Sequence, residues 1–215
     1  MKIEIWSDFV CPFCYLGKRH LEYALNQLQL IDKVEIEYRS FELAPNQKPY
    51  DGTSIHNLLA NKYGMSLAEA KKANERVGEA AMKVGLKYNF DEMKYTNTFD
   101  AHRLAKYAKT FGKEKEIVEK IMEGYFINSL LISDYETLAD FAMSVGLDRN
   151  EVIKVLEDKR SYEDEVRYDE NLANKLGING VPYIRINEKY VISGAHPINV
   201  FVEKIKLAWD NELEA

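Results

Sequence analysis

The sequence predicts an α/β fold into which an all-helical domain is inserted, and three observations carry that expectation. KIEIW (2–6) and VEIEYRSFEL (34–43) alternate apolar and polar residues with the period of half-buried strands. Near the other end, VPYIRI and YVIS flank the short turn NEK and read as a hairpin. Between these ends, residues 53 to about 158 carry successive helical patterns and no convincing strand. Two-stranded fragments are not stable alone. The strands of both ends are therefore expected to share one sheet, giving a discontinuous α/β domain (1–52 and 159–215) and an inserted helical domain (53–158).

Taken in order, the first strand runs into SDFV and then into a helix. Pro12 suits a first helical position, and Leu21, Ala24, Leu25 and Leu28 form its apolar stripe. With the second strand this makes a β-α-β opening. In the middle, Ser66 with Glu69 and Asp148 with Glu151 have capping-box spacing, and Gly85, Gly112 and Gly146 stand where helices need a left-handed stop. Leu138, Phe141, Ala142 and Val145 give one apolar face, and Val152, Val155 and Leu156 another. A helix over 161–176 is expected to stop at Gly177, and INVFVEKIKLAWDNEL to form a last amphipathic helix.

The 215 residues are 46% hydrophobic and 30% charged, the composition of an ordinary globular protein. No apolar run approaches the roughly 20 residues of a membrane helix, so neither membrane anchoring nor a membrane partner is expected. The formal charge of −6 argues against a nucleic-acid surface, which needs clustered Lys and Arg. The first residues enter a strand pattern directly, without the basic and apolar regions of a signal peptide. A cytoplasmic location is expected, where a lone close cysteine pair is more often catalytic or metal-binding than a structural staple.

Cys11 and Cys14 form the motif CPFC. Structural zinc needs four ligands, and the chain offers these two cysteines and four dispersed histidines, His20, His56, His102 and His196. No metal is expected. Covalent haem attachment needs a histidine after the second cysteine, where Tyr15 stands. Packed thiols remain an alternative, since free cysteine is a small buried hydrophobe. Thiol-disulfide exchange fits best. At the cap of the helix that Pro12 begins, the Cys11 sulfur meets unpaired N–H groups and the positive helix end, which favour thiolate. Cys11 is the expected nucleophile, and Cys14, one turn on and less exposed, the resolving thiol.

SDFVCPFCYLGK, RSFEL (39–43), NTFDAHRLAKYA (97–108) and GINGVPY with SGAHP together resemble the DsbA family of thiol-disulfide oxidoreductases, in particular its cytoplasmic FrnE-like branch. The resemblance covers nearly the whole chain. It implies a thioredoxin-like fold with an inserted all-helical domain, Pro182 in cis beside CPFC, and the Val181 backbone pairing with a bound peptide. Phe13 and His102 become candidate substrate contacts, although packing is the competing role for His102 and for Tyr15.

The pattern also departs from the family. Thioredoxin and periplasmic DsbA carry a buried acid six positions before the nucleophile, where this chain has Ile5. Asp8 is the nearest candidate for proton transfer, with loop or helix capping as its competing role. His196 and Ala44 stand where the branch often has Gln and Asn. Disulfide- or thiol-containing proteins or peptides are the implied partners. Glutathione is a candidate redox partner, and no cofactor is implied.

Two rival functions share the fold. Kappa-class glutathione transferases and 2-hydroxychromene-2-carboxylate isomerases bind glutathione but typically use serine at the Cys11 position. A redox-inert peptide-binding module is the other rival. Retention of both thiols favours redox cycling.

Overall fold

The computed structural model describes residues 1–213. Its secondary structure runs β1 (Lys2–Ser7), α1 (Pro12–Gln27), β2 (Glu35–Ser40), α2 (Ile55–Tyr63), α3 (Leu67–Met82), α4 (Phe99–Lys109), α5 (Glu114–Phe126), α6 (Tyr135–Ser144), α7 (Arg149–Glu157), α8 (Glu163–Lys175), β3 (Tyr183–Ile186), β4 (Tyr190–Ser193) and α9 (Ile198–Leu213). Strands from both ends of the chain do form one sheet, in the order β2-β1-β3-β4. β1 and β2 are parallel, while β3 is antiparallel to β1 and to β4.

Contacts divide the chain into two compact units: Met1–Leu43 with the chain from Arg167 onward, and Ala44–Val166. These boundaries differ from 52/53 and 158/159, for local reasons. The Asn97 side-chain amide donates to the Pro45 carbonyl at 3.1 Å, tying the segment after Leu43 to the helical unit. At the other end Arg103 gathers the carbonyls of Val155, Leu156, Asp158 and Ser161, which holds that stretch in the helical unit.

In the sheet unit, alternation sorts β1 into two faces. Ile3 and Ile5 pair with Ile186 and Ile184 across β3, and all four are at most 3% exposed. α1 buries Leu21, Ala24 and Leu25, and α9 buries Phe201, Ile205 and Ala208; the two helices pack on each other, and α9 also packs on β4. On the opposite face Trp6 is fully buried against Ala173 and Ile178. Its indole N–H donates to the Asp169 carbonyl at 3.1 Å. Beside it stand the charges of Glu4, Arg39, Arg185 and Asp169, all buried or nearly so.

The helical unit follows its sequence signals. Ser66 and Glu69 form a complete capping box at α3, and the Asp148 carboxylate caps α7 by accepting from the Glu151 N–H. Gly85, Gly112 and Gly146 have φ of 80°, 68° and 91°, left-handed values that other residues adopt only at a cost. No described helix is long and apolar enough to cross a membrane.

Candidate active site

Cys11 is the N-cap of α1, with extended backbone (φ −90°, ψ 111°) and Pro12 in the first turn. Proline is suited there because the first helical N–H groups have no intrahelical partner and its φ is already near the helical value. The Cys11 N–H donates to the Asp8 carbonyl at 3.2 Å, and the Cys14 N–H to the Cys11 carbonyl at 3.0 Å, which closes the loop around both sulfurs. The Cys11 thiol donates to the Val181 carbonyl at 3.6 Å, across 170 positions of sequence. The pair is not joined in a disulfide.

Both cysteines are buried, Cys11 at 4% and Cys14 at 2% exposure, so accessibility separates them little. Their surroundings separate them more. Burial, reinforced by the neighbouring Cys11, pushes the Cys14 thiol well above its ordinary range; hydrogen bonds from the Ser7 hydroxyl and the Asp8 backbone N–H pull it back in part. Cys14 is thereby held as a neutral thiol at neutral pH.

Val181 and Pro182 reach the site on the segment that leads into β3. The peptide between them is cis, and the Pro182 carbonyl accepts from the Gly194 N–H at 2.8 Å. Val181 packs against the Trp6, Ala173 and Ile178 cluster. Phe13 lies next to the cysteines on α1 and is 46% exposed. Cys11, Cys14, Phe13, Val181 and Pro182 thus all belong to the sheet unit.

Asp8 is 1% exposed, and one carboxylate oxygen accepts from the Leu43 N–H at 2.8 Å. Its backbone N–H is among the groups that pull the Cys14 thiol down. His102 is a buried residue of α4, in the helical unit. Tyr15 is 1% exposed, with Arg19 donating to its hydroxyl at 3.1 Å, which is the role of a packed side chain. His196 lends its backbone carbonyl to His20 Nδ1 at 2.7 Å. Among the described residues no group of three or more His, Cys, Asp or Glu is placed to hold a metal ion.

Two site residues were not singled out by sequence. Ser7 ends β1 on the Ile3 and Ile5 side of the alternation, and its hydroxyl is among the groups that pull the Cys14 thiol down. The strand alternation gives its side, and nothing local gives its partner. Gly17 faces Pro182 so closely that a Cβ would stand 3.1 Å from the proline Cγ. A glycine inside an otherwise regular helix was the available signal.

The family profile described as "DSBA-like thioredoxin domain" matches residues 2–206. Among solved structures, a probable DsbA oxidoreductase from Streptomyces coelicolor superposes with a TM-score of 0.93 at 39% identity, over 98% of this chain and 90% of that one. A 2-hydroxychromene-2-carboxylate isomerase is similar in fold, with a TM-score of 0.75 at 16% identity and all of both chains covered. The cytosolic disulfide reductase DsbM from Pseudomonas aeruginosa, solved with GSH, gives 0.63 at 12% identity over 100% of this chain and 98% of that one.

Proposed function

Because the chain belongs to the DSBA-like thioredoxin domain family, we propose that it is a thiol-disulfide oxidoreductase whose working centre is the Cys11–Cys14 pair. The observation that carries this reading is the meeting of Cys11 Sγ with the Val181 carbonyl at the start of a helix whose next turn holds a second, proton-retaining thiol.

In the reducing direction Cys11 Sγ, as thiolate, attacks one sulfur of a substrate disulfide. The S–S bond breaks, one substrate thiolate leaves and takes a proton, and Cys11 is joined to the other substrate sulfur. Cys14 then loses its proton and attacks Cys11 Sγ. The second substrate thiolate leaves and is protonated, and the pair is left oxidised by two electrons. The Val181 backbone and Pro182 orient the substrate sulfur, and exposed Phe13 supplies apolar contact beside it. Disulfide-bearing proteins or peptides are the substrates. Glutathione, present in the solved relative DsbM, returns the pair to the dithiol.

A cytoplasmic location sets the direction. A couple near about −180 mV in a pool near about −240 mV lies roughly a hundredfold toward dithiol, since about 30 mV is tenfold for two electrons. Reduction or isomerisation is then the usual traffic. The fold shared with the 2-hydroxychromene-2-carboxylate isomerase keeps a glutathione-dependent isomerase as the second reading.

Partner trapping tests the proposal. Cys14→Ser should hold partners as mixed disulfides on Cys11, and Cys11→Ser should hold none. Equal recovery from both variants would remove the exchange reading, and isomerase activity surviving Cys14→Ser would put the second reading in its place.

A further inference from the structure

Between β4 and α9 the chain passes through Gly194, Ala195, His196 and Pro197, and the first three of these tie two parts of the site together. The Gly194 N–H donates to the Pro182 carbonyl at 2.8 Å. A Cβ on Gly17 would stand 3.1 Å from Pro182 Cγ and 3.9 Å from Ala195 Cα, so α1 packs on both residues there. The His196 carbonyl meets His20 Nδ1 at 2.7 Å, across 176 positions of sequence. Gly17 and His20 belong to α1, the helix that Cys11 caps. The segment bridges the Val181–Pro182 peptide to the helix of the cysteines, inside one compact unit.

Two of these ties are made by backbone and close packing, and His20 makes the third through its side chain. A carbonyl can only accept, which assigns the proton to Nδ1. The ring also meets Phe201 of α9 edge-on, with centroids 5.9 Å apart and planes at 79°. Packing on α9 thus steadies the ring while its N–H holds the segment; the His196 residue is itself exposed.

We propose that His20 is a positioning residue for disulfide exchange, its Nδ1–H clasping residues 194–196 to α1 and so fixing the Val181–Pro182 backbone relative to Cys11. The assignment rests on the redox reading of the Cys11–Cys14 pair, with the Val181 backbone orienting the substrate, and deepens it. His20 takes no part in bond making or proton transfer. It holds His196, Gly194 holds Pro182, and the Val181 carbonyl stands 3.6 Å from Cys11 Sγ. A substrate with a peptide backbone depends on that placement, because small displacements of a positioning group lower reactivity. A small aryl disulfide has no amide groups to pair and depends mainly on the sulfur.

Two substitutions separate the clasp from the packing. His20→Phe keeps a ring against Phe201 and removes the donor. His20→Asn removes the ring and keeps a donor the same number of bonds from the backbone, at nearly equal helix propensity. Each reduced protein is mixed rapidly with a fluorescence-quenched peptide disulfide or with a symmetric chromogenic aryl disulfide, over a range of concentrations. His20→Phe is expected to lower the ratio of peptide to aryl reactivity about three- to tenfold, the worth of one hydrogen bond, by raising the half-saturating peptide concentration. His20→Asn should restore most of the ratio. His20→Leu removes the same donor should the phenylalanine variant not fold.

A ratio in His20→Phe equal to that of the unaltered protein would overturn the assignment. So would a parallel fall of both reactions with the thermal midpoint, larger in His20→Asn than in His20→Phe, which would give His20 a packing role. If the unaltered protein reacts with neither disulfide, the redox reading fails and this assignment with it; reaction with the aryl disulfide alone removes the substrate-orienting reading and the clasp together. Reaction with both and an indifferent His20→Phe removes this assignment alone.

Discussion

Gly17 packs closely against Pro182: a methyl group on Gly17 would lie 3.1 Å from Pro182 Cγ and 3.6 Å from its Cβ. The helix that carries the cysteines and the segment that meets Cys11 are thereby set against each other. Gly17→Val should cost about 1–3 kcal/mol as an overpacked contact and reduce disulfide exchange at least tenfold. Gly17→Ala should be milder, because about 1 kcal/mol of helix propensity offsets its crowding. Urea denaturation and exchange rates check both, and a valine variant unchanged in both would show that the contact sets nothing.

Cys14 gives a pH dependence of stability whose sign is fixed. Its thiol in the folded protein titrates well above the ordinary range, because of burial first and Cys11 second. Above about pH 8.5, where an unfolded cysteine ionises, the folded dithiol therefore holds more protons than the unfolded chain. The contribution is fully present below that pH and is lost as pH rises toward the folded value, by at most about 1.4 kcal/mol per pH unit. Urea midpoints of the dithiol protein should fall from pH 8.5 upward, and Cys14→Ala should flatten the fall.

Arg103 should be the most sensitive position of the helical unit. Its side chain is fully buried; it donates to four carbonyls between Val155 and Ser161 and pairs with Asp100 at 2.7 Å. Arg103→Ala removes the donor of the four carbonyls and leaves Asp100 with Lys159 as its cation, a loss of about 3–5 kcal/mol. Arg103→Lys should recover little, since an ammonium cannot reproduce the planar fork. Thermal unfolding of the two variants beside the unaltered protein decides it, and a lysine variant near the parent would show that charge alone suffices.

Glu4 should behave as a buried ion rather than as a surface charge. It is 3% exposed and lies between Arg39 and Arg185, while Arg39 also bonds Asp169 at 2.9 Å. Glu4→Gln removes the anion and leaves the cations around it short of partners, at about 3–5 kcal/mol. Added salt should change that penalty little, because the site is largely shielded from solvent. A penalty that collapses in concentrated salt would contradict it.

Local signals gave the elements and failed where a residue's reason lay far away in sequence. Pro12 marked the start of α1, Gly85, Gly112 and Gly146 marked turns, and INVFVEKIKLAWDNEL marked α9 with its observed limits. Period-two alternation also placed Ser7 on the Ile5 side. It could not say which side chains would surround Ser7. Glu4 and Arg39 read as the wet half of alternating strands, because alternation cannot tell a solvated face from an ion-paired one beneath α8. At the unit boundary at 43/44, Asn97 donates to the Pro45 carbonyl, a contact across 52 positions that no local signal gives. Gly17 looked like a flaw in a helix until Pro182 explained it.

The 170 positions between Cys11 and Val181 set a schedule on the ribosome. At about 5–20 residues per second, the CPFC thiols of a nascent chain wait on the order of ten to thirty seconds before the carbonyl that receives Cys11 has been synthesised. During that interval β1 lacks its β3 neighbour and the two sulfurs are open to any oxidant or stray thiol in the surroundings. Whatever the pair later exchanges with, its two thiols must therefore first be kept out of disulfides themselves.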